Sequence, residues 1–205
     1  MGGVTVLDAD QIKVKLIDFL IDQDDCTLIA SEVPFYQGYR KADLIHLANN
    51  SITAFEIKSD RDSLTKLLDQ VSDYNHTFSF CYLVTTKKHL ATARKLISPK
   101  TGIMLVEDSS ISVVRKSKEN KRLCKHSLTL ALPGQDISKL TKNSRVDKAL
   151  HSQRRYVESE TTLQTLKKYF YEALFDKYHK NYTNFISDRG MRTTLTDLYY
   201  LQSSY

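Results

Sequence analysis

Three features of this sequence predict an α/β fold, with a mixed sheet held between helical layers and a helical region after it. Up to residue 133, apolar runs of strand length alternate with stretches of helical period. The strand-like segments 52–58 and 79–85 are joined by a helical one, which suits a right-handed parallel crossover. Beyond Pro133 no strand pattern recurs. The chain therefore divides into an α/β core, 1–133, and a basic, tyrosine-rich helical extension, 134–205.

The first element is a helix over 9–24, with Ile12, Leu16, Phe19 and Leu20 on one face and Asp8 or Asp10 as its cap. Asp22, Asp24 and Asp25 close it. A strand over 26–36 carries Glu32, and Gly38 lets the chain turn. A hairpin follows, 41–47 and 52–58, turning at Asn49-Asn50, because asparagine tolerates the positive φ angles of a two-residue turn. The next helix, 62–76, has Leu64, Leu67, Leu68, Val71 and Tyr74 as its core stripe, with Asp60 and Asp62 favouring its N-terminal end. The near-continuous apolar run 78–85 reads as a central strand buried on both faces. A basic helix, 87–98, stops at Pro99. Residues 102–106 form another buried strand, 111–115 continue after a turn, and Leu128 to Leu132 is a short last strand. In the extension, helices are expected over 160–179 and 190–202.

The hairpin carries the chemistry. A turn at Asn49-Asn50 sets Asp43 opposite Glu56 and Lys41 opposite Lys58. Alternation then puts Asp43, Glu56 and Lys58 on one face, together with Ile45, Leu47, Ile52 and Ala54. Two carboxylates facing one another repel, and a hard divalent cation removes that repulsion. A lysine beside the ion can hold or deprotonate a water, or steady charge on a phosphate oxygen. A register slip of one residue would send the acids to opposite faces, so the arrangement depends on the turn.

In this order and spacing, Asp43 and Glu56-Ile57-Lys58 resemble the core motif of the PD-(D/E)XK nuclease superfamily, whose members share a restriction-endonuclease-like fold. Glu32 resembles the extra acid many members carry. Gln70 and Tyr74 resemble the Q-x-x-x-Y extension of the RecB-like branch. The resemblance covers roughly residues 10 to 107, and Ala42 stands where the name-giving proline would be. It implies a metal-dependent phosphodiesterase, with DNA ahead of RNA as substrate. Asp43, Glu56 and the carbonyl of Ile57 would hold Mg²⁺ or Mn²⁺, with Glu32 adding a ligand. Lys58 would orient the attacking water, and Gln70 and Tyr74 would complete the site.

Charge is segregated along the chain. Residues 1–86 carry a net −6 and residues 87–126 a net +8, within an overall +6. Acids that hold cations and basic surfaces that meet a polyanion would produce this layout, and so would uneven surface charge. Arg40, Lys41, Lys87, Lys88 and the cluster Arg115, Lys116, Lys118, Lys121 and Arg122 are the candidate nucleic-acid contacts. Lysine and arginine interleaved with tyrosine in the extension could grip single strands, or pack a helical subdomain or a homodimer interface. Three scattered cysteines (Cys26, Cys81, Cys124) give neither a disulfide framework nor metal spacing. No apolar run approaches membrane-spanning length and the N-terminus lacks a signal pattern, so a cytoplasmic protein is expected. The same fold could also serve a non-catalytic binding protein, or a nuclease silent until a partner or ligand docks.

Overall fold

Among the described residues, six strands form one sheet in sequential order: β1 (Leu28–Phe35), β2 (Arg40–Ala48), β3 (Ser51–Lys58), β4 (Phe80–Thr85), β5 (Gly102–Val106) and β6 (Ile111–Arg115). This computed structural model describes residues 7–23, 27–108, 110–121 and 123–202. β1, β2 and β3 are antiparallel neighbours, β3–β4 and β4–β5 are parallel, and β6 returns antiparallel to β5. The helices are α1 (Ala9–Ile21), α2 (Leu67–Thr77), α3 (Lys87–Leu96), α4 (Lys125–Ala131), α5 (Gly134–Thr141), α6 (Leu150–Glu160) and α7 (Leu163–Asp188). The fold is therefore α/β with a mixed central sheet and a helical C-terminal region, as the sequence pattern predicts.

Alternation along the strands builds two cores, one on each face of the sheet. On one face, Ile12, Leu16, Ile17 and Leu20 of α1 pack on Ile29, Leu44, Phe55 and Ile57. On the other, Leu67, Val71 and Tyr74 of α2 join Ile45, Leu47, Ile52, Ala54 and Leu83. The later helices enter both. Leu166, Phe170, Leu174 and Tyr178 of α7 belong to the α2 side, and Phe185 at its far end belongs to the α1 side. α7 thus passes the edge strand β1 from one face to the other. Beyond it the Leu201 carbonyl accepts the outward N–H of Ser31 at 2.8 Å, so the edge strand's backbone is paired there.

Several elements differ from expectation for local reasons. Leu128 to Ala131 is helical, not a strand, and Leu132 caps that helix. Leu128, Ala131 and Leu132 enter the core at spacings of three and four, a helical period hidden in a short apolar run. α2 begins at Leu67 because Asp62 folds back, its Oδ2 accepting from the Ser59 N–H at 2.7 Å and the Ser59 hydroxyl at 2.6 Å. Leu68 is consequently exposed rather than part of the stripe. The expected helix 160–179 is found as α7, which starts at Leu163, where Thr162 caps it by accepting from the Thr165 N–H, and runs on to Asp188; α6 before it ends at Glu160. Within 190–202 there is a single 3-10 turn, Thr196–Tyr199. Upstream of it Asp18 on α1 accepts from both the N–H and the hydroxyl of Thr193, holding that stretch extended along α1. Asp8 and Gln11 form a reciprocal capping box on α1. Asp24 and Asp25, like Cys26, lie outside the described residues.

Candidate functional site

The site begins with the turn. Asn49 (φ 49°) and Asn50 (φ 57°) are both left-handed, the conformation that a two-residue turn matched to strand twist requires. The turn fixes the expected register, with Leu47 opposite Ile52 and Leu44 opposite Phe55. Asn50→Val would force a β-branched residue into that conformation. It should lower stability by about 1–2 kcal/mol, read as a shift of the urea midpoint. An unchanged midpoint would show that the turn does not hold the register.

Beyond Leu44–Phe55 the ladder stops. The Ile57 N–H donates to Asp43 Oδ2 at 2.7 Å, so a side chain replaces the strand carbonyl. The expected ladder pairs Asp43–Glu56 and Lys41–Lys58 are therefore not formed, although both carboxylates stay at the same end of the hairpin. Glu56 is 1% exposed, and its Oε1 lies 2.7 Å from Lys58 Nζ. Its Oε2 is buried with no hydrogen bond of regular geometry, although the Tyr74 hydroxyl stands close enough to interact with the Glu56 carboxylate. Burial first, and Glu56 second, push the Asp43 carboxyl up to about 7, against the opposing pull of the Ile57 N–H and Lys13.

Glu32 stands at an irregularity in β1. Its φ is 53°, and pairing passes from Ser31–Leu44 directly to Val33–Ala42. Its carboxylate is bound by Lys13 Nζ of α1 at 2.6 Å. Lys13, only 5% exposed and electrostatically coupled to Asp43, is the site residue that sequence reasoning missed. The available signal was its place three and four residues before Leu16 and Ile17, on the apolar side of α1.

Tyr74 acts as a brace. Its hydroxyl donates to the Lys41 carbonyl at 3.2 Å and accepts from the Asp43 N–H at 3.3 Å. Burial, then Glu56 and Asp43, raise its pKa well above that of an ordinary tyrosine, so it stays neutral. Gln70, one turn earlier on α2, has its Oε1 buried without a hydrogen-bond partner. The chain after Lys58 is fixed by the end of β4 and the start of α3: Thr85 Oγ1 donates to the Lys58 carbonyl at 2.9 Å, and Thr86 and Lys88 bond Asp60.

The basic candidates fall in two places. Arg40, Lys41, Lys87 and Lys88 lie at the site's end of the sheet, because β2 starts and β4 ends there. Arg40 pairs with Asp73 at 2.7 Å and Lys87 with Glu107 at 2.6 Å. The segment carrying Arg115, Lys116, Lys118 and Lys121 crosses the opposite end. There the Lys118 N–H bonds the Lys100 carbonyl, and the Asn120 N–H bonds the Ser79 carbonyl. Arg115 itself holds the carbonyls of Thr101 and Ser98. Those four do not converge with Asp43 and Glu56, and Arg122 lies outside the described residues.

Among the described residues, no three His, Cys, Asp or Glu side chains gather as a metal-binding group. A hard cation would instead rely on two carboxylates and a backbone carbonyl. The Glu56 Oε2, without a regular hydrogen bond, and the mutual repulsion of Glu56 and Asp43 fit that role.

The fold and this cluster define an α/β protein with a buried glutamate, a half-buried aspartate and a lysine at the end of its central hairpin. Residues 4–202 match the family described as Bacteriophage P4 protein cII, and the chain belongs to that family. Protein cII of Enterobacteria phage P4 is 32% identical over 122 residues, 58% of this chain. The match spans 46% of that relative, so this chain corresponds to about half of its length. A structure titled SPO1766 protein of unknown function, from Silicibacter pomeroyi, aligns over 76% of this chain and 93% of its own at 16% identity, with a TM-score of 0.46. Among the described residues no helix is long and apolar enough to cross a membrane.

Proposed function

We propose that this protein is a metal-dependent nuclease of the PD-(D/E)XK type, acting on DNA. The observation that carries the reading is the Glu56 carboxylate, buried beside the half-buried Asp43, with Lys58 2.7 Å from one Glu56 oxygen and the other oxygen without a regular hydrogen bond. Two acids pressed together in a core are costly unless an ion or a proton relieves them. Asp43, Glu56 and the carbonyl of Ile57 would hold Mg²⁺ or Mn²⁺. Once bound, the ion supplies charge neutralisation at the scissile phosphate. Lys58, released from Glu56, holds the attacking water in line. Tyr74 positions Asp43 through its backbone, and Glu32 joins the site only by leaving Lys13. Lys41 is exposed at the site's mouth and meets the strand's phosphates.

The test is incubation with supercoiled plasmid, linear duplex and single-stranded DNA in Mg²⁺, Mn²⁺ or EDTA, alongside Glu56→Ala. Cleavage that needs metal and is lost in the variant is the expected result. Cleavage that persists in EDTA or in Glu56→Ala would overturn the assignment.

A second reading has its own support: the ion pairs Lys58–Glu56 and Lys13–Glu32 already neutralise two of the three acids. A non-catalytic binding protein built this way would hold nucleic acid equally well in EDTA and never shorten it.

A further inference from the structure

A second feature lies beside the turn that joins β1 to β2, at the same end of the sheet as Asp43. Between that turn and helices α4 and α6 is a cavity of about 390 Å³. Gln37, His126, Arg154 and Arg155 line it, with Leu130 and Leu150 as apolar walls. Arg154 is 8% exposed. Its Nη2 donates to the Leu132 carbonyl at 3.0 Å, but its Nε and Nη1 are buried with no hydrogen-bond partner. Unpaired donors on a buried guanidinium are rare, because they forgo bonds that water would supply. The carboxylate in the lining, Glu158, is engaged by His126 Nδ1 at 3.1 Å. Among the described residues, Arg154, Arg155, His126 and His151 line the cavity with a single acid, and that acid already has a partner.

We infer that this cavity binds a phosphate group carried on a nucleotide, with Arg155 at its mouth and Arg154 at its wall. The planar fork of arginine matches phosphate oxygens, and a small turn of the Arg154 side chain would bring its idle, sealed donors to an arriving anion. The volume falls within the range of small-ligand sites, which run from about 300 to 1,000 Å³, and the leucines suit a sugar or base. Binding here needs neither metal nor cleavage.

Titration calorimetry of the intact protein in EDTA at low salt tests this, with inorganic phosphate, thymidine, thymidine 5′-monophosphate, and a short oligodeoxynucleotide with and without a 5′-phosphate. The monophosphate should bind and thymidine should not. Arg155→Gln, at an exposed position, should weaken binding about tenfold or more, as should Arg154→Gln if it folds. The phosphorylated oligonucleotide binding more tightly than the mononucleotide would assign the site to a strand end. The reverse order would assign it to a free nucleotide. Thymidine binding as well as its monophosphate, inorganic phosphate and the monophosphate both failing to bind, or Arg155→Gln binding like the parent, would overturn the inference.

Discussion

Lys58→Met is expected to reduce metal-dependent DNA cleavage by about 10²–10⁴-fold, the range that a positioned proton-transfer group contributes. Methionine keeps the length and apolar stem of lysine and removes only the ammonium. The variant leaves Glu56 buried without its 2.7 Å partner, so its stability in EDTA should fall. Excess Mg²⁺ should restore part of the loss by binding the folded form. Circular dichroism at the assay temperature separates lost chemistry from lost fold. A folded variant that cleaves at the parental rate would remove Lys58 from the mechanism.

Asp43→Asn should do the opposite to stability. The Asp43 carboxyl titrates at about 7 in the folded protein against an ordinary value of 3.8. Below about pH 4 it is protonated in both folded and unfolded chains and costs nothing. As the pH rises towards 7 the unfolded chain ionises while the folded one resists, so stability is lost across that window, and the full penalty stands above it. An amide carries no charge and can still accept from the Ile57 N–H. In EDTA at pH 8 the variant should therefore be more stable by an amount on the order of 2 kcal/mol, or about 4–8 °C in Tm. At pH 4 the two proteins should melt together. Cleavage should be lost. A variant that melts below the parent at pH 8 would show that Asp43 holds the hairpin rather than straining it.

How legible this site is in the sequence depends on the scale of the cause. The Asn49-Asn50 turn is local chemistry, and it fixed which residues share a face from the turn as far as Leu44 and Phe55. From it followed the apolar neighbours Ile45, Leu47, Ile52 and Ala54 around the acids. What the turn could not reveal is that Asp43 would take the Ile57 N–H and end the ladder, because that choice belongs to a side chain reaching across strands. The irregularity at Glu32 was hidden for a related reason: its left-handed φ follows from no turn signal in the sequence. Lys13 was hidden by its own residue type, since a lysine in an amphipathic helix is assigned to solvent until a buried acid is placed opposite it. Leu128 to Leu132 was too short for its period to decide between strand and helix. The basic cluster around Arg115 shows the limit of reading charge along a chain, because neighbours in sequence ended at the far end of the sheet from the acids.

The course of α7 has one more consequence. Its first turns seal the face that carries Glu56, its last turns seal the face that carries Lys13, and the chain beyond it occupies the open edge of β1. A partner strand seeking to extend the sheet finds that side already taken. The remaining lateral edge is β6, where Val113 is exposed. Growth of the sheet by a second chain, whether in assembly or in aggregation, is thereby favoured at β6, and that direction leads away from the carboxylates.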